Sequence, residues 1–139
     1  MSEVEVFNTP GYGEKLGEKL HYSQAVRVGN RVEISGQGGV DDDLNIPESL
    51  EDEIVQAFEN VERTLAAAGA GWRDVIHVNS YHVASEPDSI GDAHNEVMVA
   101  QFRRWMPDRA PIWTQTGVTV LGLPTMRVEI RVTAIIGDN

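Results

Sequence analysis

Two charged residues stand where a globular chain seldom leaves them without a task. Arg109 follows Pro107 and Asp108 and directly precedes an apolar, β-type run. Glu129 lies between Val128 and Ile130, inside a second such run. A carboxylate in so apolar a strand is costly to bury unless it is paired or used. A guanidinium grips a carboxylate through two parallel hydrogen bonds. A carboxylate beside a bound water orients it and accepts its proton. Together the two make a candidate site. By position alone the plainer, structural reading of Arg109 is favoured, paired to Asp108 or Glu129, and Glu129 has a like alternative, paired to Arg109, Arg127 or Arg131.

Other chemistries find less support. There is no cysteine, which removes disulfides, thiolate metal sites and cysteine nucleophiles together. His77 and His82 alternate to opposite faces of a strand, and His21 and His94 are remote in sequence, so no metal site is expected. Ser23, Ser35 and Ser80 lack the setting of a nucleophile elbow. Asp41-Asp42-Asp43 with Asn45 lacks the glycine and terminal glutamate of a calcium loop and reads as a solvated acidic loop. Gly36, Gly38 and Gly39 let backbone approach something closely, or simply make a supple loop.

The elements that must position Arg109 and Glu129 follow from pattern. Ile112–Val120 and Met126–Ile136 read as strands, parted by a turn at Leu121-Gly122-Leu123-Pro124-Thr125. Ser23–Val28 and Arg31–Ser35 read as a hairpin about Gly29-Asn30, residues that tolerate positive φ. Ser49-x-x-Asp52 opens a helix whose apolar face runs through Ile54, Phe58, Val61 and Leu65, and Gly69 ends it. Val75–Val83 reads as a strand. Ser89-x-x-Asp92 caps a second helix that Pro107 stops. Residues 1–20, with Gly11, Gly13 and Gly17 among charges, read as an irregular arm with one possible edge strand. The order is that of an α+β domain: a single mixed sheet with two helices on one face. In the last strands apolar residues alternate with apolar or small ones, so the far sheet face needs cover, and other subunits would supply it.

The chain of 139 residues suits one domain, 1–139, with 41% hydrophobic residues for its core. No apolar run is long enough to span a membrane, and the acidic N-terminus is unlike a signal or transit peptide. A cytoplasmic setting and no membrane partner are expected. At net charge −11, with no basic stripe, no nucleic acid partner is expected.

Several stretches, in order, resemble the Rid family of reactive intermediate deaminases, also called the YjgF family. They are Tyr22-Ser23-Gln24-Ala25 with Val28-Gly29; Ile34-Ser35-Gly36-Gln37; Asn60 to Leu65 with Ala67-Ala68-Gly69 and Asp74-Val75; Pro107-Asp108-Arg109; and Val128-Glu129-Ile130. The resemblance implies a chorismate-mutase-like sheet of about six strands, assembled as a homotrimer around a central barrel with active sites in the clefts between subunits. It implies that Arg109 binds the carboxylate of a small-molecule substrate and that Glu129 holds the attacking water. It places Tyr22, Gly36 and Gln37 beside the cleft. Pro111, two residues past the arginine, retains a carbonyl that can accept a hydrogen bond but has no N–H to give. Arg131 stands where the family often has a second glutamate, and Trp113 where smaller residues are common.

The expected activity is hydrolysis of 2-enamino or 2-imino acids to 2-keto acids and ammonia. No cofactor is implied, because an imine is already electrophilic. The alternatives are a binding protein for small carboxylates or a chaperone-like trimer, and, less favoured by the acidic charge, a ribonuclease.

Overall fold

The computed structural model describes residues 3–137; of the expected domain span, residues 1, 2, 138 and 139 lie outside it. Six strands form one sheet in the order β1-β2-β3-β6-β4-β5. They are β1 (Val4–Phe7), β2 (Ala25–Val28), β3 (Arg31–Ile34), β4 (Val75–Val83), β5 (Ile112–Val118) and β6 (Val128–Ile135). All neighbours are antiparallel except β4 and β5, which run parallel. A parallel pair needs a crossover, and helix α3 (Asp92–Trp105) supplies it. The mixed six-stranded sheet is the one anticipated, and β4 has its expected bounds.

Helix α2 (Leu50–Ala67) packs with α3 on one sheet face. Ser49 caps α2 by accepting a hydrogen bond from the Asp52 N–H at 3.0 Å. Its stripe of Ile54, Ala57, Phe58, Val61 and Leu65 is fully buried against Val128, Ile130, Val132 and Ala134 of β6. Phe58 stacks on Trp72 at 5.0 Å, and Phe102 meets Trp113 edge to face at 4.9 Å.

Several expectations need correction. Among the described residues there are three α-helices, because Tyr12–Leu20 forms helix α1 where an irregular arm was expected; the edge strand is β1. The glycines there serve close packing. A Cβ at Gly13 would sit 2.6 Å from the Thr9 Cβ, and one at Gly17 would sit 3.0 Å from the Tyr22 carbonyl. Ser89 does not cap α3: its hydroxyl donates to Glu86 at 2.7 Å, and the helix begins after Gly91 without a side-chain cap. An irregularity between Val75 and His77 leaves Ile76 exposed while Val75 and Val78 are buried. The far face of β4, β6 and β5 is more polar than expected, carrying Asn79, Tyr81, Glu129, Arg131, Thr114 and Thr116. Among the described residues no helix is long and apolar enough to cross a membrane.

Candidate functional site

Glu129 projects from β6 opposite Tyr81 of β4, on the face away from α2 and α3. It takes part in none of the ion pairs among the described residues. Of the three arginines considered, Arg127 pairs with buried Glu53 at 2.6 Å, Arg109 donates to backbone carbonyls away from Glu129, and Arg131, on the same face of β6, forms no ion pair among the described residues. The structural ion-pair reading of Glu129 within one chain is therefore not what the fold adopts. Burial without a compensating charge raises the Glu129 carboxyl above the usual glutamate range. A carboxyl so tuned holds and releases protons closer to neutral pH.

The pocket beside Glu129 is lined by Tyr22, Gly36, Gln37 and Gly38 along one side. Gly36 is indispensable to its shape, since a Cβ there would lie 2.6 Å from the Glu129 carboxyl carbon. Gln37 bridges to Ile130 through both backbone groups, at 2.8 and 3.0 Å. Its side chain is fully engaged: the oxygen accepts from the Tyr12 hydroxyl, and the amide donates to the Ser35 carbonyl and hydroxyl. Gln37 thus shapes the wall and keeps no free donor for a ligand. Tyr22 stands at the rim, 39% exposed.

Sequence reasoning missed the rest of the lining: Tyr12, Leu16 and Leu20 from α1, Val40, and Leu123 with Met126 from the β5–β6 connection. The signal was present as the i, i+4 spacing of Tyr12, Leu16 and Leu20, hidden between glycines of low helix propensity.

Arg109 and Pro111 are not brought to this pocket within one chain. Exposed Arg109 donates through Nη2 to the carbonyls of Arg73 and Val75, at 3.2 and 3.3 Å. Val75 lies six residues along β4 from Tyr81, the partner of Glu129, which is about 20 Å of strand. Pro111 directly precedes β5, at the same end of β4. Trp113 is not beside the pocket either: its indole faces the helices and donates to Ser80 Oγ at 2.9 Å.

The histidines also differ from expectation. His82 and His94, far apart in sequence, are both fully buried with their Nδ1 atoms 2.9 Å apart. Among the described residues, however, no group of three or more acidic, histidine or cysteine side chains is set to hold a metal ion. Asp41 folds its own loop by accepting from the N–H groups of Asp43 and Asn45, both at 2.9 Å. Asp42 meets Arg63 at 2.9 Å, and that hydrogen bond, ahead of one from the Tyr12 N–H, holds its carboxyl below the usual range.

A family model described as Endoribonuclease L-PSP matches residues 14–136. The 2-iminobutanoate/2-iminopropanoate deaminase of Dermatophagoides farinae is 35% identical over 139 residues, covering 98% of this chain and 99% of that protein. The RutC family protein YjgH of Escherichia coli (strain K12) is 33% identical over 130 residues, 94% of each chain. The solved structure of the protein YjgH superimposes with a TM-score of 0.76 at 31% identity, covering 96% of both chains.

Proposed function

Because the chain belongs to the Endoribonuclease L-PSP family, the YjgF or Rid family whose motifs it carries, we propose that it hydrolyses 2-enamino and 2-imino acids to 2-keto acids and ammonia. It does so as a homotrimer whose sites lie between subunits. The observation that carries this reading is Glu129: a half-buried carboxylate without an ion partner, with elevated proton affinity, at the end of a small pocket. The deaminase name of the mite relative supports it.

The chemistry needs little from the protein. An iminium carbon accepts water directly, so the protein must hold the substrate and a water and move protons. Glu129 takes a proton from the attacking water as the C–O bond forms, giving a tetrahedral carbinolamine. It returns that proton to the nitrogen and then takes the carbinol O–H proton as the C–N bond breaks, so that ammonia leaves and the 2-keto acid remains. Arg109 of an adjacent copy holds the substrate carboxylate, because within one chain it lies about 20 Å along β4 from the Glu129 position. Both two-bond forks of a guanidinium use Nη2, with Nε or with Nη1, so Nη2 trades a backbone carbonyl for a carboxylate oxygen when substrate binds. The Pro111 carbonyl, near Arg109 in sequence, accepts from the imine N–H or the water. Exposed apolar side chains on the far sheet face, Val4, Val6, Val28 and Ile112, give the adjacent copies a surface to bury.

A phosphodiester substrate is disfavoured by the net charge of −11, which repels a phosphate backbone. The test is a coupled assay with 2-aminoacrylate generated in situ, read as keto-acid formation above the rate in buffer. No acceleration with folded protein would remove the deaminase reading.

A further inference from the structure

We propose that Arg131 builds a second carboxylate site beside Glu129, which makes this chain prefer 2-imino acids that end in a side-chain carboxylate over monocarboxylic ones of the same length. The inference rests on the deaminase reading and names the substrate class.

Arg131 is an exposed cation with no acidic partner. It takes part in none of the ion pairs among the described residues. It stands two residues beyond Glu129 on the same face of β6, opposite Asn79 of β4. The step between the two positions is about 7 Å of strand.

A hollow of about 210 Å³, separate from the Glu129 pocket, is lined by Arg131 with Ser23, Val26, Glu33 and Ser35. Ser35 joins the two spaces, because it directly precedes Gly36, the residue packed against Glu129. Its Oγ accepts from the Gln37 amide at 3.2 Å, so its own proton is free to give. Glu33 is the one acid in the lining, and it is already engaged: Arg31 meets it at 2.6 Å, and the Thr133 hydroxyl donates to it at 2.5 Å. The hollow thus combines an unpaired guanidinium with a hydroxyl donor, which is the chemistry of a carboxylate site. The Glu129 pocket has no cation in its lining.

The two spaces divide the substrate. The reacting carbon and its water belong at Glu129, and the side chain runs along β6 toward Arg131. Side chains stand roughly perpendicular to a sheet, so the substrate itself must cover the distance along the strand. In a five-carbon dicarboxylic acid, C2 lies about 4 Å from the terminal carboxylate carbon. A hydrogen bond adds about 3 Å, which together match the strand step. The net charge of −11 opposes a second negative charge on the ligand, so any preference for one must come from a local cation.

The test compares two acids of equal chain length. Calorimetry with 2-oxoglutarate and 2-oxopentanoate reads affinity without turnover. Hydrolysis of the matching 2-imino acids, generated in situ by amino-acid oxidases, reads kcat/KM. A charge-assisted contact should favour the dicarboxylate roughly tenfold or more in both. Arg131→Gln should abolish that ratio, and Arg131→Lys, which keeps the charge but loses the fork, should keep part of it. A wild-type ratio of one or less overturns the site, as does a ratio that Arg131→Gln leaves unchanged. If light scattering shows that Arg131→Gln fails to assemble, Arg131→Lys decides: a lowered ratio in the intact assembly upholds the site, and an unchanged one overturns it. A dicarboxylate preference in calorimetry, with neither imino acid hydrolysed above buffer, upholds the site and removes the deaminase reading alone.

Discussion

Gly36 lies directly against Glu129. A methyl group on Gly36 would sit 2.6 Å from the Cγ, Cδ and Oε2 atoms of the glutamate. The Gln37–Ile130 bridge fixes the backbone on both sides of this contact, so the space cannot be recovered by moving the strand. The carboxylate has its position because residue 36 has no side chain.

Gly36→Ala should therefore displace the Glu129 carboxylate while the fold persists, since the end of a flexible side chain yields more easily than backbone. A shift of about 1 Å at a catalytic group costs on the order of a hundredfold. The expected result is a kcat for imino-acid hydrolysis lowered ten- to a hundredfold, with an unfolding midpoint close to wild type. An unchanged kcat would show that Glu129 is not positioned for the chemistry.

The paired histidines set an acid limit on stability. His94 Nε2 faces the Val83 carbonyl at 3.0 Å and must carry its proton. His94 Nδ1 is then an acceptor for His82 Nδ1–H at 2.9 Å, and His82 Nε2 accepts from Ser80 at 2.8 Å. Every partner is satisfied only when both rings are neutral. Burial, and then the neighbouring His94, lowers the pKa of His82 to about 4; burial lowers that of His94 too, with the Val83 carbonyl and then Glu53 opposing and Arg127 reinforcing. In the unfolded chain both titrate near 6.5. Below that value the unfolded state binds more protons, so stability is complete above pH ~6.5 and falls as pH drops toward 4. Between pH 7.5 and 4.5 His82 alone should remove about 2–3 kcal/mol. Urea unfolding across that range checks it, and a His82→Gln variant should show a shallower decline. Equal slopes in the two proteins would sink the claim.

Glu53 anchors the start of β6. Its carboxylate, fully buried, accepts the Arg127 backbone N–H and Nε–H, each at 2.6 Å. Arg127 Nη2 also reaches the carbonyls of Pro47 and Glu48, at 3.0 Å each. Glu53→Ala leaves that guanidinium without its counter-charge, which should cost about 3–5 kcal/mol in chemical denaturation. A loss under about 1 kcal/mol would mean that solvent reaches and compensates Arg127.

What could be read in advance depended on whether the cause was local. β4 was legible to the residue because its apolar and polar side chains alternate, and α2 because Ser49, its acidic first turn and its apolar stripe all agree. Helix α1 was not, because Gly13 and Gly17 answer to Thr9 and Tyr22, and that requirement exists only once the chain is folded. The His82–His94 contact joins a strand to a helix and follows no period. At the site, Glu129 announced itself as a charge in an apolar strand, whereas Leu16, Leu123 and Met126 are ordinary apolar residues until the pocket brings them together. Arg109 was read as the carboxylate anchor, but within one chain it rests on the carbonyls of Arg73 and Val75, away from Glu129, and a linear pattern carries no information on contacts between copies.

That last point is open to a direct measurement. If Arg109 of one copy completes the Glu129 pocket of the next, each site draws its two charged groups from different chains. Arg109→Ala and Glu129→Ala trimers should each be nearly inactive, because removing a charge-assisted two-bond contact costs roughly tenfold or more per bond and removing the base costs on the order of a hundredfold or more. Mixing the two variants before assembly, by co-expression or by refolding together from urea, scatters them at random. A site then receives an intact Arg109 half the time and an intact Glu129 half the time. About a quarter of the sites are whole, and about a quarter of the wild-type rate should return. A site built within one chain predicts none, since every chain carries one defect. Recovery near a quarter would establish the shared cleft, and a mixture as inactive as its parents would refute it. Light scattering on the same mixture supplies the control, because trimers must form for either outcome to count.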